Sequence, residues 1–147
     1  ILLAIDTSGS MKALDFKKDN EPVDRLEAIK KVVDDFIQKR PYDRIGMVVF
    51  GSEAYTQCPL TLDKDILRSF LGWIHIGIAG DGTAIGNALA TSVKRLQNQM
   101  TKSRVVILLT DGRNNAGEIA PQMAAQIAKE MGIKVYTIGV GTNGQVP

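Results

Sequence analysis

The sequence contains few of the residues that most often build covalent or soft-metal sites. It has one cysteine, Cys58, and one histidine, His75, among 147 residues. A single cysteine cannot form a disulfide within the chain, and Cys58 has no CxxC partner that would complete a zinc site. The sequence therefore excludes a small disulfide-stabilised scaffold and a structural zinc module.

An excess of one charge and long apolar stretches are also lacking. The 18 basic and 16 acidic residues give a net charge of +2, and basic residues occur in pairs such as Lys17-Lys18, never in a long block. Such pairs are typical of a solvated surface and do not favour a polyanionic partner. No apolar run is long enough to span a bilayer. We therefore expect no nucleic-acid partner and no direct insertion of this segment into a membrane.

What the sequence does contain is a series of short apolar runs separated by helical patterns. Residues 1–5, 45–50 and 105–109 are nearly continuous apolar runs, which predict strands buried on both faces, and residues 133–138 predict the last strand. Because amphipathic helical spacing lies between these runs, the pattern predicts an α/β domain with a mainly parallel sheet. Residues 54–58 alternate weakly after a short turn, which predicts an antiparallel edge strand. A hydrophobic content of 44% is enough for one domain with one core.

Four helices are predicted from their end signals. Asp24 begins a capping box, Asp63 can cap a second helix, and a third covers 84–97 behind a glycine-rich turn. Pro121 suits the first position of a fourth helix, which Gly132 ends. This fourth helix is expected to bury a stripe formed by Met123, Ala124, Ile127 and Met131.

Residues 11–22 show no clear periodicity. We expect an irregular excursion beside the first loop. Asp15 and Asp19 in this segment are expected to be solvated turn acids, with a role as additional metal ligands as the alternative.

The first apolar run ends in a carboxylate that is followed by two hydroxyls. Asp6 is followed by Ser8 and Ser10, and Gly9 between them allows a sharp turn. Open α/β sheets place their ligand sites at the carboxyl ends of strands, and oxygen ligands from a tight loop suit a hard divalent cation. The same residues are also ordinary turn formers. The loop alone therefore leaves a metal site and a plain turn both open.

Two later segments repeat this chemistry. Residues 104–112 form an apolar run ending in Thr110, Asp111 and Gly112, and residues 80–86 form a glycine-rich turn that presents Thr83 before a helix. With Asp-x-Ser-x-Ser, Gly-Thr and Thr-Asp-Gly in this order, nearly the whole chain resembles the von Willebrand factor type A family. The wording Asp-Gly-Thr-Ala-Ile-Gly, together with Leu-Thr-Asp-Gly-Arg-Asn-Asn-Ala-Gly, is similar to bacterial aerotolerance-type (Bat-like) members.

The resemblance implies a doubly wound, Rossmann-like α/β fold with helices on both faces. Its sheet order would be 3-2-1-4-5, with the third strand antiparallel. Residues 1–147 would form a single such domain, lacking the family's last strand and helices. Strand 133–138 would then lie at a sheet edge, where unpaired backbone groups invite self-association.

The resemblance also implies a metal-ion-dependent adhesion site. Hydroxyls of Ser8, Ser10 and Thr83 would contact Mg²⁺, with Mn²⁺ or Ca²⁺ as alternatives, while Asp6 and Asp111 would hold the ion directly or through water. The partner would be another protein that presents an Asp or Glu. A bacterial membrane-anchored parent, with this domain in the periplasm, is the implied setting. Candidate partner contacts are Asp81, Gly82, Arg113, Asn114 and Asn115.

Two enzymatic interpretations compete with binding. Asp6 could be the nucleophile of an aspartyl phosphotransferase, but Ser8 stands where the general acid of such enzymes is expected. Residues 139–144 match G-x-G-x-x-G, yet a dinucleotide site also needs a helix at that turn and an acid about 20 residues further on. We therefore expect a binding module and not an enzyme.

Overall fold

The computed structural model describes residues 1–99, 104–112 and 116–140. The glycines at 141 and 144, and the candidate contacts Arg113, Asn114 and Asn115, lie outside the described residues. In chain order the regular elements are β1 (Leu2–Asp6), a 3₁₀ turn (Gly9–Lys12), β2 (Phe16–Lys18), β3 (Glu21–Val23), α1 (Arg25–Gln38), β4 (Ile45–Phe50), β5 (Ala54–Thr61), α2 (Lys64–Gly72), α3 (Ile85–Leu96), β6 (Val105–Thr110), α4 (Pro121–Glu130) and β7 (Lys134–Gly139).

A five-stranded sheet in the order β5-β4-β1-β6-β7 forms the centre of the fold. Strand β5 runs antiparallel to β4, whereas the pairs β4–β1, β1–β6 and β6–β7 are all parallel. When β2 and β3, which form a separate sheet, are left out of the numbering, this order is the predicted 3-2-1-4-5. The predicted order and the single antiparallel strand of the five-stranded sheet are therefore confirmed. Strand β1 occupies the middle of the sheet, where Ala4 lies opposite Val48 on one side and Leu108 on the other. All five of its residues are therefore buried.

Helices cover both faces of this sheet, which explains why β1 is apolar at every position before Asp6. Leu3 and Ile5 pack in the cluster formed with α1 and α2. Leu2 and Ala4 pack in the cluster formed with α3 and α4. Because successive side chains of a strand point to opposite faces, a strand between two helical layers needs apolar residues at every position.

The predicted helix ends are confirmed. The Asp24 carboxylate accepts a hydrogen bond from the Glu27 backbone N–H at 2.8 Å. Asp63 likewise accepts from the backbone of Asp65 at 3.0 Å and Ile66 at 3.1 Å. These bonds satisfy backbone donors that have no partner within the first turn of a helix.

The predicted buried stripe of α4 is wrong at two of its four positions. Met123 is 61% exposed and Ile127 is 43% exposed, whereas Ala124 and Ala128 are buried. The helix packs against α3 through these alanines, because small side chains allow two helices to approach closely. The larger residues therefore lie on the flank of the contact.

The expectation for residues 11–22 is also wrong in part. Strands β2 and β3 form a small antiparallel hairpin in which Lys18 pairs with Glu21. Asp19 and Asn20 make its two-residue turn with φ values of 53° and 66°, a left-handed conformation that Asp and Asn tolerate well. Asp19 is a solvated turn acid as expected, but the Asp15 side chain is only 1% exposed.

Candidate metal centre

The candidate site lies at the carboxyl ends of β1 and β6, where the strand order of the sheet reverses. These strands are parallel neighbours, with Ile5 opposite Leu109. Asp6 ends β1, and Asp111 directly follows β6. The carboxyl ends of strands at such a reversal of strand order are the usual ligand position in open α/β sheets.

Asp6 is completely buried and held by two hydrogen bonds. One carboxylate oxygen accepts from the Ser8 backbone N–H at 2.8 Å, and the other accepts from the Thr110 hydroxyl at 2.6 Å. Burial raises the pKa of Asp6, and the nearby Asp111 raises it further, while the bonds from Ser8 and Thr110 act in the opposite direction. The carboxylate is therefore fixed in orientation in a poorly solvated position, where a cation would compensate its charge.

The hydroxyls of the first loop form a continuous chain of oxygens with Asp111. Ser8 Oγ lies 3.1 Å from Ser10 Oγ, and Ser10 Oγ donates to Asp111 Oδ1 at 2.8 Å. In an octahedral site with metal–oxygen distances of about 2.0–2.1 Å, adjacent oxygens lie about 2.9 Å apart. The three oxygens therefore already have the spacing of neighbouring ligands around a small divalent cation.

Thr83 reaches the same place from a separate loop. It is 3% exposed, and a Cβ built on Gly112 would lie 3.5 Å from its hydroxyl and 3.8 Å from Asp6 Oδ2. Gly112 thus directly adjoins both side chains, and its lack of a side chain leaves the space between the loops open. All five residues predicted as metal ligands converge on one edge of the sheet.

The loop that carries Thr83 is held by the turn after β4. The Ala84 N–H donates to the Gly51 carbonyl at 2.7 Å, and the Gly82 N–H donates to Ser52 Oγ at 2.8 Å. The Asp81 carbonyl accepts from the Gly9 N–H at 3.2 Å, which joins this loop to the first one. Of the predicted partner contacts, Asp81 and Gly82 therefore lie beside the site.

Arg25 adds a cation that the sequence interpretation missed. Its Nη1 donates to Asp111 Oδ2 at 2.6 Å, and its Nη2 lies 2.9 Å from Asp15 Oδ2. The contact of Arg25 with Asp111 could not be predicted, because Arg25 follows Asp24 in a capping box, a pattern that indicates only the first turn of a helix. Thr110 was missed because it belongs to the apolar strand run, although the Thr-Asp pair could have indicated its role.

The donor set fits a hard divalent cation. Two carboxylates and three hydroxyls are all oxygen donors, which Mg²⁺, Mn²⁺ and Ca²⁺ prefer. Within residues 1–99, 104–112 and 116–140, no group of three or more His, Cys, Asp and Glu residues could hold a metal ion. An ion bound by the described residues would therefore depend on hydroxyls and water for part of its coordination.

The fold and this edge define a doubly wound α/β domain with a ligand site where the strand order reverses. The model of the von Willebrand factor type A domain family matches residues 1–146. The chain belongs to this family.

Three relatives illustrate the range of similar proteins. An aerotolerance-related membrane protein from Bacteroides fragilis is 32% identical, with a TM-score of 0.87 over 99% of this chain and 69% of that one. An uncharacterised protein of Borreliella burgdorferi is 32% identical over 97% of this chain, which spans 41% of that protein's length. Proximal thread matrix protein 1 of the mussel byssus, described with a zinc-occupied metal-ion-dependent adhesion site, shares the fold at 24% identity and a TM-score of 0.76 over 94% of this chain and 37% of that one.

Proposed function

We propose that this domain is a divalent-metal-dependent protein-binding module. Domains of its family typically mediate metal-dependent protein interactions. In this chain Ser8, Ser10 and Thr83 would hold Mg²⁺ through hydroxyls, and Asp6 and Asp111 would hold it directly or through water. The observation that supports this most is that oxygen-bearing side chains from three separate loops meet at one edge of the sheet, with those of Ser8, Ser10 and Asp111 within hydrogen-bond distance of one another, close enough to contact one small cation together.

The charges of the site favour an incoming carboxylate. The hydroxyls are neutral, and Arg25 offsets part of the charge of Asp111 through the 2.6 Å contact. Asp15 in turn offsets part of the charge of Arg25, so the positive charge that a divalent ion would keep toward solvent depends on its having neutral hydroxyls and water among its ligands. At about 4 Å and an effective dielectric constant near 20, one charge pair contributes roughly 4 kcal/mol before desolvation. The bound ion would supply this electrophilic contact to an Asp or Glu of another protein.

Mg²⁺ is the ion we propose first, with Mn²⁺ and Ca²⁺ as alternatives. The oxygen spacing suits Mg²⁺ and Mn²⁺, whereas Ca²⁺ takes six to eight oxygens at longer distances. Binding of zinc is described for the mussel protein, so a divalent ion is compatible with this fold. We propose that Thr83, which lies on a different loop from Ser8 and Ser10, contributes more to partner capture than to metal affinity.

We further propose that the parent protein is bacterial and membrane-anchored, with this domain in the periplasm. The similarity to the membrane protein of Bacteroides fragilis supports this setting. None of the helices in the described part of the chain is long and apolar enough to cross a membrane. Strand β7 is an edge strand with Tyr136 and Ile138 exposed, which makes self-association along this edge a second kind of contact.

Binding is preferred to phosphoryl transfer because Ser8 occupies the position where a phosphotransferase needs its general acid. The Ser8 backbone also donates to Asp6, which ties this residue to orienting the carboxylate. Relatives with known roles, such as a collagen α-4(VI) chain of mouse, are matrix proteins. Turnover of a phosphomonoester in Mg²⁺ that disappears in Asp6→Asn would favour the enzyme instead.

Peptide selection on the immobilised domain tests the proposed function. Peptides displayed on phage are bound in Mg²⁺ and eluted with EDTA, and the eluted pool should be enriched in Asp or Glu. Thr83→Ala should remove most of this enrichment because Thr83, on its separate loop, is proposed to contribute more to partner capture than to metal affinity. Thr137→Ala, the same substitution on the exposed edge strand β7, should leave it unchanged. The same enrichment obtained in EDTA would contradict a metal-bridged mechanism.

The metal-dependent stabilisation of the domain should increase with pH. The pKa of Asp6 is raised above its ordinary value of 3.8, mainly by burial. The protonated carboxyl therefore stabilises the metal-free fold at low pH, and this contribution is lost as the pH rises through the raised pKa. An ion needs the ionised form, so its affinity rises over the same range. The difference in melting temperature between Mg²⁺ and EDTA, measured from pH 3.8 upward, should grow.

Asp6→Asn is the control for this pH dependence. It cannot titrate, so the stabilisation that Mg²⁺ still gives should change less with pH over the same range than in the unsubstituted chain. A stabilisation of the unsubstituted chain that does not change with pH there would show that Asp6 is not coupled to the ion.

A further inference from the structure

Arg25 connects two buried carboxylates across the edge of the candidate site. Its Nε lies 2.9 and 3.0 Å from the two oxygens of Asp15, and its Nη1 lies 2.6 Å from Asp111 Oδ2. The side chains of Asp15 and Asp111 are each 1% exposed, and that of Arg25 is 15% exposed. Charge pairs this far removed from water are screened weakly and act strongly on their neighbours.

Both oxygens of Asp111 already have partners in this arrangement. Oδ1 accepts from Ser10, and Oδ2 accepts from Arg25. A guanidinium is charged at all physiological pH values, and its planar fork holds a carboxylate in a defined orientation. Arg25 therefore fixes the orientation of Asp111 and at the same time withdraws negative charge from the place where a cation would bind.

Asp15 moderates this effect from the other side of the guanidinium. It forms the bidentate contact with Arg25, and it precedes β2 in the segment that the sequence interpretation treated as solvated. A negative charge at Asp15 compensates part of the charge of Arg25. The field at the site therefore depends on both members of this pair, which we call the Asp15–Arg25 pair.

We propose that the Asp15–Arg25 pair is a positioning and charge-setting element of the metal site. Arg25 keeps Asp111 oriented and lowers the intrinsic affinity for the ion, so that a bound ion stays electrophilic toward a partner carboxylate, while Asp15 limits the extent of this effect. The inference rests on the proposed function, because it assumes that a divalent cation occupies the edge formed by Ser8, Ser10 and Asp111.

The pair predicts opposite effects of two substitutions on metal affinity. Arg25→Met removes a positive charge near the ion and should raise Mg²⁺ affinity, by roughly tenfold. Asp15→Asn preserves the shape of the side chain but leaves Arg25 less compensated, and it should lower Mg²⁺ affinity, by roughly tenfold. A purely structural role, in which the side-chain contact between Arg25 and Asp15 only holds the segment before β2 in place, would make both variants bind metal more weakly.

Titration calorimetry with Mg²⁺ and Mn²⁺ on each variant is the test, together with melting temperatures in Mg²⁺ and in EDTA. Arg25→Met should be destabilised in EDTA, because two buried carboxylates lose their cation, and it should gain more from Mg²⁺ than the unsubstituted chain does. Arg68→Met is the matched control. Arg68 pairs with Asp34 at 2.7 Å on the surface, with its side chain 48% exposed, and its removal should leave the metal affinity unchanged.

The outcomes separate this inference from the proposed function. Metal affinities that shift in opposite directions in Arg25→Met and Asp15→Asn support the inference. Shifts in the same direction, or no shift, overturn it while the proposed function stands. If Arg25→Met does not fold, Arg25→Gln, which keeps a polar side chain without the charge, replaces it, and an unchanged or lower metal affinity in that variant overturns the inference. If the unsubstituted chain binds none of Mg²⁺, Mn²⁺ and Ca²⁺, the proposed function fails, and this inference fails with it.

Discussion

Asp6→Ala is expected to lower the Mg²⁺ affinity of the domain by roughly 100-fold or more, because it removes a full negative charge next to the ion. Ser10→Ala removes only a neutral oxygen and should cost roughly tenfold. The difference between the two variants measures how much of the metal affinity is electrostatic. Calorimetric titration with Mg²⁺ and Mn²⁺ gives both values directly.

Asp6→Ala also acts on the fold itself. The buried Ser8 N–H and the Thr110 hydroxyl would lose their shared acceptor, which costs about 1–3 kcal/mol for each buried group left unpaired. Asp6→Asn is therefore the better control, since it keeps an acceptor but removes the charge. Metal affinity in Asp6→Asn that equals that of the unsubstituted chain would exclude Asp6 from the site.

Gly51→Ala is expected to disrupt the site although Gly51 is not one of the proposed ligands. A Cβ at this position would lie 2.2 Å from the Gly80 carbonyl oxygen and 2.8 Å from that of Ala79. Both are backbone atoms of the loop that presents Thr83, so the loop has to move. We expect a loss of stability of about 1–3 kcal/mol together with a loss of metal affinity, measured by thermal unfolding and by calorimetry.

Gly72→Ala is the matched control for this prediction. A Cβ at Gly72, the last residue of α2, has no atom within 4 Å, and alanine is a better helix former than glycine. Its stability should be unchanged or slightly higher, with unchanged metal affinity. Unchanged metal affinity in Gly51→Ala would show that metal binding does not depend on the position of the loop that carries Thr83.

The buried strands could be predicted from local patterns, whereas the order of the sheet and the proposed ligand residues came from the resemblance to a family. The apolar runs before Asp6 and Asp111 identify strands buried on both faces, and strands of this kind lie side by side in a parallel sheet. The spacing of Ser8 and Ser10 after Asp6, and the Gly-Thr turn at Thr83, follow a family pattern that occurs in a fixed order.

The contacts of Asp15 and Arg25 could not be predicted in the same way. Arg25 is 10 positions from Asp15 and 86 positions from Asp111 in the sequence. Nothing in the local sequence of either acid indicates that Arg25 contacts it. The hairpin around Asp19 and Asn20 could not be predicted, because strands of three residues are too short to show an alternation of polar and apolar residues. Met123 and Ile127 were wrongly placed inside because helical spacing defines an apolar face but not how much of that face another element covers.

The central position of β1 has a consequence for how a bound ion would affect folding kinetics. The contacts that bring the site together, Ser10 to Asp111 and Asp6 to Thr110, span 101 and 104 residues. We expect such distant pairings to form late in folding, because the entropy of closing long loops is lost before these contacts repay it. Interactions absent from the folding transition state change the unfolding rate and leave the folding rate nearly untouched. A bound ion would therefore slow the unfolding of this domain and lengthen the lifetime of its native state, while the folding rate would stay nearly the same.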